Sequence, residues 1–155
     1  MNITVARSAG FCFGVKRAVD TVYQLLAKQK QGRICILGHL IHNPHILKDI
    51  ERKGAVTVSE NEIETLAKEA CENRPVTVVI RAHGITKSIH DTLKSHSEQN
   101  PFFHVQDCTC PFVKKIHRIA ATECTPDDLF LVFGNPTHPE VIGICSYAPD
   151  RKSVV

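Results

Sequence analysis

Apolar residues follow two rhythms along this chain. Short continuous apolar blocks of strand length occur at Ile34-Cys35-Ile36-Leu37, Ala55 to Val58, Val76 to Ile80, Phe102 to Val105 and Leu129 to Phe133. Val76 to Ile80 is the most telling of them, because a strand covered on both faces of a parallel sheet has no polar side. Longer stretches between these blocks carry the 3.6-residue period of core-facing helices. Val15, Ala18, Val19, Val22, Leu25 and Leu26 form one such stripe. Ile63, Leu66, Ala67 and Ala70 form another, as do Ile89 with Leu93 and Val113 with Ile116 and Ala120. Ile3 to Ala6 predicts one more strand, at the amino terminus.

Punctuation supports these boundaries. Pro44 behind Asn43 reads as a first helical residue after an N-cap, opening a helix that runs to about Arg52 and closes at Gly54. Thr86 is placed to cap the next helix but one, and Pro111 opens another. His138-Pro139 follows the last apolar block, with Val141 and Ile142 expected in the turn behind it. Strand-then-helix alternation persists throughout, which predicts an α/β fold of parallel sheets joined by right-handed crossovers. Lys152 to Val155 reads as the beginning of a strand, so the sequence is expected to be part of a longer one.

Five of the strand-to-helix turns display cysteine or histidine: Gly10-Phe11-Cys12-Phe13-Gly14, His42-Asn43-Pro44, Ala82-His83-Gly84, Cys108-Thr109-Cys110-Pro111 and Thr137-His138-Pro139-Glu140. In an open α/β sheet such turns lie outside the carboxyl ends of the strands, where ligands bind. Two soft thiolate donors and three imidazoles are thereby expected to face one crevice, as a metal or iron–sulfur centre beside an anion site would need. Cys12 precedes a helix and is flanked by glycines, so a thiolate there is stabilised and a bulky cofactor can approach the backbone. Cys110 has the same setting, and the two lie too far apart in sequence for a local zinc knuckle. His42, His83 and His138 can donate N–H groups to a phosphate, helped by adjacent helix N-termini. Glu140 either complements the dipole of its helix or serves as a proton donor.

The remaining candidates take plainer readings. Cys35 in a strand and Cys71 on a helix face are expected in the core, and Cys124 and Cys145 are structural. His39, His45, His90, His96, His104 and His117 lack strand-end placement and read as solvated or structural.

Bulk composition narrows the picture further. At 155 residues, 43% hydrophobic and 23% charged, the chain has the makeup of an ordinary globular domain. A net charge of +3, dispersed along the chain, gives no footprint for nucleic acid. No secretory h-region and no run long enough to span a bilayer is present, so no membrane partner is expected. Seven cysteines without paired spacing read as reduced thiols. The expected compartment is the cytoplasm.

In this order the motifs Gly-Phe-Cys-x-Gly-Val at 10–15, His42-Asn43, Ala82-His83-Gly84, Asp-x-Thr-Cys-Pro-x-Val at 107–113 and Gly-x-x-x-His-Pro-Glu-Val at 134–141 resemble the 4-hydroxy-3-methylbut-2-enyl diphosphate reductase (LytB/IspH) family. The resemblance implies the last step of the non-mevalonate isoprenoid route. That step is reductive dehydroxylation of 4-hydroxy-3-methylbut-2-enyl diphosphate to isopentenyl and dimethylallyl diphosphates. It implies that Cys12 and Cys110 are two of three cysteines holding an oxygen-sensitive iron–sulfur cluster of the 4Fe-4S type, with one iron free of protein thiolate. His42, His83 and His138 match histidines that contact substrate, and Glu140 matches the proton-supplying acid. A ferredoxin- or flavodoxin-type protein is the implied electron donor.

The family fold implies three α/β lobes around a central crevice, of which about one and a half are present. Residues 15–101 would form one lobe, residues 1–14 with 102–155 an incomplete second, and the third lobe is absent. The family's third cluster cysteine, its Thr/Gln-rich motif and its Ser-x-Asn segment lie beyond the last residue. Cys108 occupies a place where the family has a small non-ligand residue. The chain alone is therefore expected to be inactive. Two other readings use the same residues: a non-catalytic remnant that keeps the anion site without a cluster, and a zinc protein built on Cys110 with histidines.

Overall fold

The computed structural model describes residues 1–29, 31–125, 127–149 and 152–155. Four apolar blocks become one parallel sheet: β1 (Arg33–Leu37), β2 (Ala55–Val58), β3 (Val76–Ile80) and β4 (Phe103–Asp107), in the order β2-β1-β3-β4. Around them lie α1 (Phe13–Lys28), α2 (Pro44–Arg52), α3 (Ile63–Glu69), α4 (Lys87–Gln99), α5 (Pro111–Thr122) and α6 (Pro139–Tyr147). A second parallel pair joins β5 (Phe130–Val132) to β6 (Lys152–Val154).

Strand alternation splits the core into two layers. Ile34, Ile36 and Val79 face Ala18 and Val22 of α1 and Ile50 of α2. Cys35, Leu37, Val76, Val78 and Ile80 face the other way, onto Ile63 and Leu66 of α3 and Leu93 of α4. Both faces of β1 and β3 are thus covered, which is why those segments are apolar at nearly every position. Asn43 caps α2 as its sequence implies, its side chain accepting from the amides of His45 (3.1 Å) and Ile46 (3.2 Å).

The strand order sets where a ligand can bind. From β1 the chain crosses one face through α2 to β2 on one side, and from β3 it crosses the opposite face through α4 to β4 on the other. The connections leaving β1 and β3 therefore diverge at their carboxyl ends and open a crevice between them. The turns of His42 and His83 stand on either side of it.

Three expectations differ from what is found. Residues 3–6 form no strand: Ile3 and Val5 are exposed, and no described strand lends them an edge. A strand exists only by pairing, so its apolar pattern alone does not form one. Val141 and Ile142 belong to α6 rather than to a turn, because Pro139 at the first helical position leaves every later amide free to bond. Cys71 lies beyond the end of α3, exposed, in a tight bridge with Arg74 that reverses the chain before β3. The lobe boundary expected near residue 101 falls between α4 and β4, and the β3–β4 ladder crosses it, from Val76 opposite Phe103 to Ile80 opposite Asp107. Among the described residues no helix is long and apolar enough to cross a membrane.

Phe103 is fully buried where β4 meets the α4 side of the sheet. Phe103→Ala is expected to lower unfolding stability by about 3–5 kcal/mol, read from denaturant melts, through lost transfer energy plus the cavity left behind.

Candidate functional site

The five chemistry-bearing turns do come together, and backbone hydrogen bonds do much of the joining. Beyond the last residues of the strands, Ala82 N donates to Leu40 O (3.2 Å) and Cys110 N donates to Ala82 O (2.9 Å). These extra rungs set the His42, His83 and Cys110 turns side by side. The imidazole centroids of His42 and His83 are 4.6 Å apart, with His138 at 6.1 Å from the first and 5.8 Å from the second. Phe11, beside Cys12, lines a cavity of about 190 Å3 together with Val15, Ile41, His42, Asn43 and His83. The amino-terminal cysteine turn therefore borders the histidine cluster.

Each histidine has a distinct setting. His42 is exposed, whereas His83 and His138 are half-buried. Burial pushes the pKa of His83 down to about 4, and the charges of His42, His138 and Arg81 add to the effect. His83 is consequently neutral near pH 7 when nothing is bound. His138 is the N-cap of α6, and its Nδ1 accepts from the amide of Glu140 (3.2 Å). A neutral imidazole whose Nδ1 accepts must carry its proton on Nε2, which leaves Nε2–H as a donor to a ligand. Glu140 sits half-buried in the first turn of the same helix.

Cys12 and Cys110 are the N-cap residues of α1 and α5, and neither thiol is engaged as a cap. Both lie at positive ends of helix dipoles. Gly14 connects them: a Cβ on it would lie 2.5 Å from Cys110 Sγ, so only glycine lets the start of α1 approach that thiol. Among the described residues no three His, Cys, Asp or Glu side chains converge closely enough to hold a metal ion. The donor set here is two thiols, beside a glycine that keeps the space next to one of them clear. That fits part of the ligand set of an iron–sulfur cluster.

Cys108, two residues from Cys110, points the opposite way into the core with Ala18 and Val22, and burial raises its thiol pKa. Adjacent turn residues diverge, so the Cys-Thr-Cys sequence presents one thiol to the site rather than two.

Several contributors escaped the sequence reading. Arg81 donates from Nε to Gly84 O (3.0 Å), bracing the His83 turn. Arg17 of α1 donates to Thr109 O, tying the helix of Cys12 to the turn of Cys110. Asp107 accepts from the Thr109 amide (2.8 Å) and pairs with Lys114 (2.7 Å), which shapes that turn. Lysine and proton-donating neighbours hold Asp107 below the usual carboxylate range, although burial pushes the other way. Arg81 adjoins a motif already singled out, and its charge next to a histidine was the available signal. Arg17 offered none, since it reads as one more basic residue off the apolar stripe of its helix.

Comparison with known proteins gives a consistent result. The family model described as LytB protein matches residues 3–155. A 4-hydroxy-3-methylbut-2-enyl diphosphate reductase from Caldanaerobacter subterraneus subsp. tengcongensis is 39% identical over 155 residues, covering 100% of this chain and 50% of that protein. One from Clostridioides difficile is 38% identical, again across 100% of this chain and 50% of the relative. A solved structure of the E-1-hydroxy-2-methyl-but-2-enyl-4-diphosphate reductase from Plasmodium falciparum superposes with a TM-score of 0.77 at 26% identity, covering 96% of this chain and 42% of that one. A second structure, of an (E)-4-hydroxy-3-methyl-but-2-enyl diphosphate reductase, gives 0.72 at 36% identity, over 99% and 50%. The chain thus spans about half the length of the relatives it matches. With its five motifs gathered at one end of a parallel sheet and the family model matched almost throughout, this chain belongs to the LytB protein family.

Proposed function

We propose that this chain supplies the cluster-side and diphosphate-side parts of a 4-hydroxy-3-methylbut-2-enyl diphosphate reductase. The observation that carries the reading is the convergence of three imidazoles beside the turns of two N-cap cysteines at the sheet's switch point. Cys12 and Cys110 would hold two corners of an iron–sulfur cluster of the 4Fe-4S type. When bound, the cluster supplies Lewis acidity at an iron without a protein thiolate, and electrons received singly from a ferredoxin- or flavodoxin-type donor. The overall reaction is two-electron reductive loss of the allylic hydroxyl, giving isopentenyl and dimethylallyl diphosphates.

The chain's own residues bind and deliver protons. His138 presents Nε2–H, with its tautomer set by the α6 amide, and His42 and His83 flank the same space. A diphosphate in this crevice favours the protonated form of His83, which burial disfavours in its absence. Glu140, two residues from His138 in the first turn of α6, is the proton donor to the departing hydroxyl. Phe11, Val15 and Ile41 give the crevice an apolar wall, which strengthens each of these charge interactions by excluding water. A cytoplasmic location suits reduced thiols of this kind.

Three tests follow from these roles, all in the complete protein. After anaerobic reconstitution, Cys12→Ser and Cys110→Ser are expected to lose most iron and acid-labile sulfide. Gly14→Ala is expected to do the same with every thiol intact, because its methyl would meet Cys110 Sγ. Retention of a full cluster in all three would remove Cys12 and Cys110 as its ligands, and a parent protein that takes up no cluster would leave a non-catalytic anion-binding protein.

Glu140→Gln is expected to reduce turnover by about 10²–10⁴-fold while leaving inorganic pyrophosphate affinity unchanged; parallel losses in both would make Glu140 a binding residue. The third test concerns pH. His83 has a pKa of about 4 without ligand, below the ordinary 6.5, and a bound anion raises it. Binding therefore takes up a proton, and affinity gains as pH falls through the ligand-bound pKa. The ratio of parent to His83→Asn affinity for pyrophosphate is expected to grow between about pH 7.5 and pH 5.5. Calorimetry measures it, and the variant cancels the titration of pyrophosphate itself.

A further inference from the structure

His117, on α5, is neither in the imidazole cluster nor a thiolate ligand, yet it touches the elements that carry both. Its side chain is 7% exposed and stacks on Tyr147 of α6, with centroids 4.3 Å apart and planes 15° from parallel. On its edge lie two glycines. A Cβ on Gly84 would sit 2.8 Å from His117 Cε1, and one on Gly143 would sit 3.6 Å from Nε2. Gly84 follows His83 directly and takes a φ of +77°, so the turn is doubly committed to glycine there. The same Gly84 position approaches the Thr109 methyl at 3.1 Å, next to Cys110. One ring is therefore wedged between the His83 turn, the Cys110 turn and the helix that begins with His138 and Glu140.

His117 Nε2 is buried without a hydrogen-bond partner, an arrangement that proteins rarely retain. Burial also lowers the pKa of the ring, against the pull of Asp107, so the wedge is uncharged. What the site retains is the ring's flat volume.

We propose that His117 is a positioning residue whose ring acts as a spacer, holding α6, and with it His138 and Glu140, at a set distance from the His83 and Cys110 turns. The proposal rests on the diphosphate reading given above. Two further features make a spacer necessary. The far end of α6 is tied down, Ser146 Oγ accepting from the Lys87 amide at 2.8 Å, so the helix has a fixed point about which its amino end can tilt. Beside the ring lies a cavity of about 260 Å3, lined by residues including Ile85, Asp107, Lys114 and Tyr147. Removing the ring would merge its volume with that cavity and leave α6 without a stop.

The test is calorimetric binding of inorganic pyrophosphate to the complete protein, well below the melting temperature, with circular dichroism confirming the fold. His117→Ala and Tyr147→Leu are expected to weaken binding by about tenfold or more. His117→Phe and Tyr147→Phe, which keep a stacked ring, should stay within about threefold of the parent. A merely structural histidine would lower the melting temperature without changing the affinity of the folded protein. Parent-like binding by a folded His117→Ala variant overturns the proposal. So does a His117→Phe variant as weak as His117→Ala, since the nitrogen would then be doing the positioning. If His117→Ala does not fold, Tyr147→Leu decides, and failure of both to fold assigns the stack to stability alone and overturns the spacer. A parent protein that binds no pyrophosphate overturns the diphosphate reading and this inference with it.

Discussion

The parallel ladder between β1 and β3 is the constraint on which the site depends. Five consecutive pairs join these strands, from Arg33 opposite Val76 to Leu37 opposite Ile80. The bonding does not stop there, because Ala82 N still reaches Leu40 O and Cys110 N reaches Ala82 O. Neighbouring strands lie about 4.8 Å apart, and backbone bonds that prolong the ladder carry that spacing into the turns. The 4.6 Å separation of the His42 and His83 rings is of that size. Side chains from sequence-distant segments are thus held together by main-chain bonds, which no substitution at the histidines themselves can loosen.

That closeness has an electrostatic consequence. Three imidazoles within about 6 Å of one another cannot all be charged cheaply in a half-buried crevice. The protein meets this by keeping His83 neutral and by directing the His138 proton outward through a bond to its own helix. An anion reverses the balance, since it stabilises the protonated rings that the empty crevice disfavours. Arg81 braces the His83 turn through Gly84 O, and Arg17 braces the Cys110 turn through Thr109 O. Each spends its charge on a carbonyl, which orients a turn without competing for the ligand.

Glycine does in this site what side chains cannot. At 14 it lets one helix start beside the thiol of the N-cap residue of another, and at 84 it admits the His117 ring beneath the histidine turn. Both positions sit next to residues chosen for chemistry, so the functional groups and the space around them are set within the same short motifs. The motifs were legible for that reason, down to the proline at the first position of α2, α5 and α6.

Local chemistry determined most of the elements. Continuous apolar runs gave β1 to β4, the helical stripes gave α1 and α3 to α5, and Asn43-Pro44 marked the start of α2, because period, length and caps are properties of adjacent residues. Cys12, Cys110 and the three histidines stood out by the same local logic of glycine, proline and strand end. Pairing was beyond that logic. Residues 3–6 have a strand's pattern but no strand partner among the described residues, and Cys71 lies in a bridge with Arg74 rather than on a helix. The strand order, the inward turn of Cys108, the bracing by Arg17 and the burial of His117 were decided only by tertiary structure. Each depends on which distant segment supplies the neighbouring surface, and the order of residues along the chain does not record that.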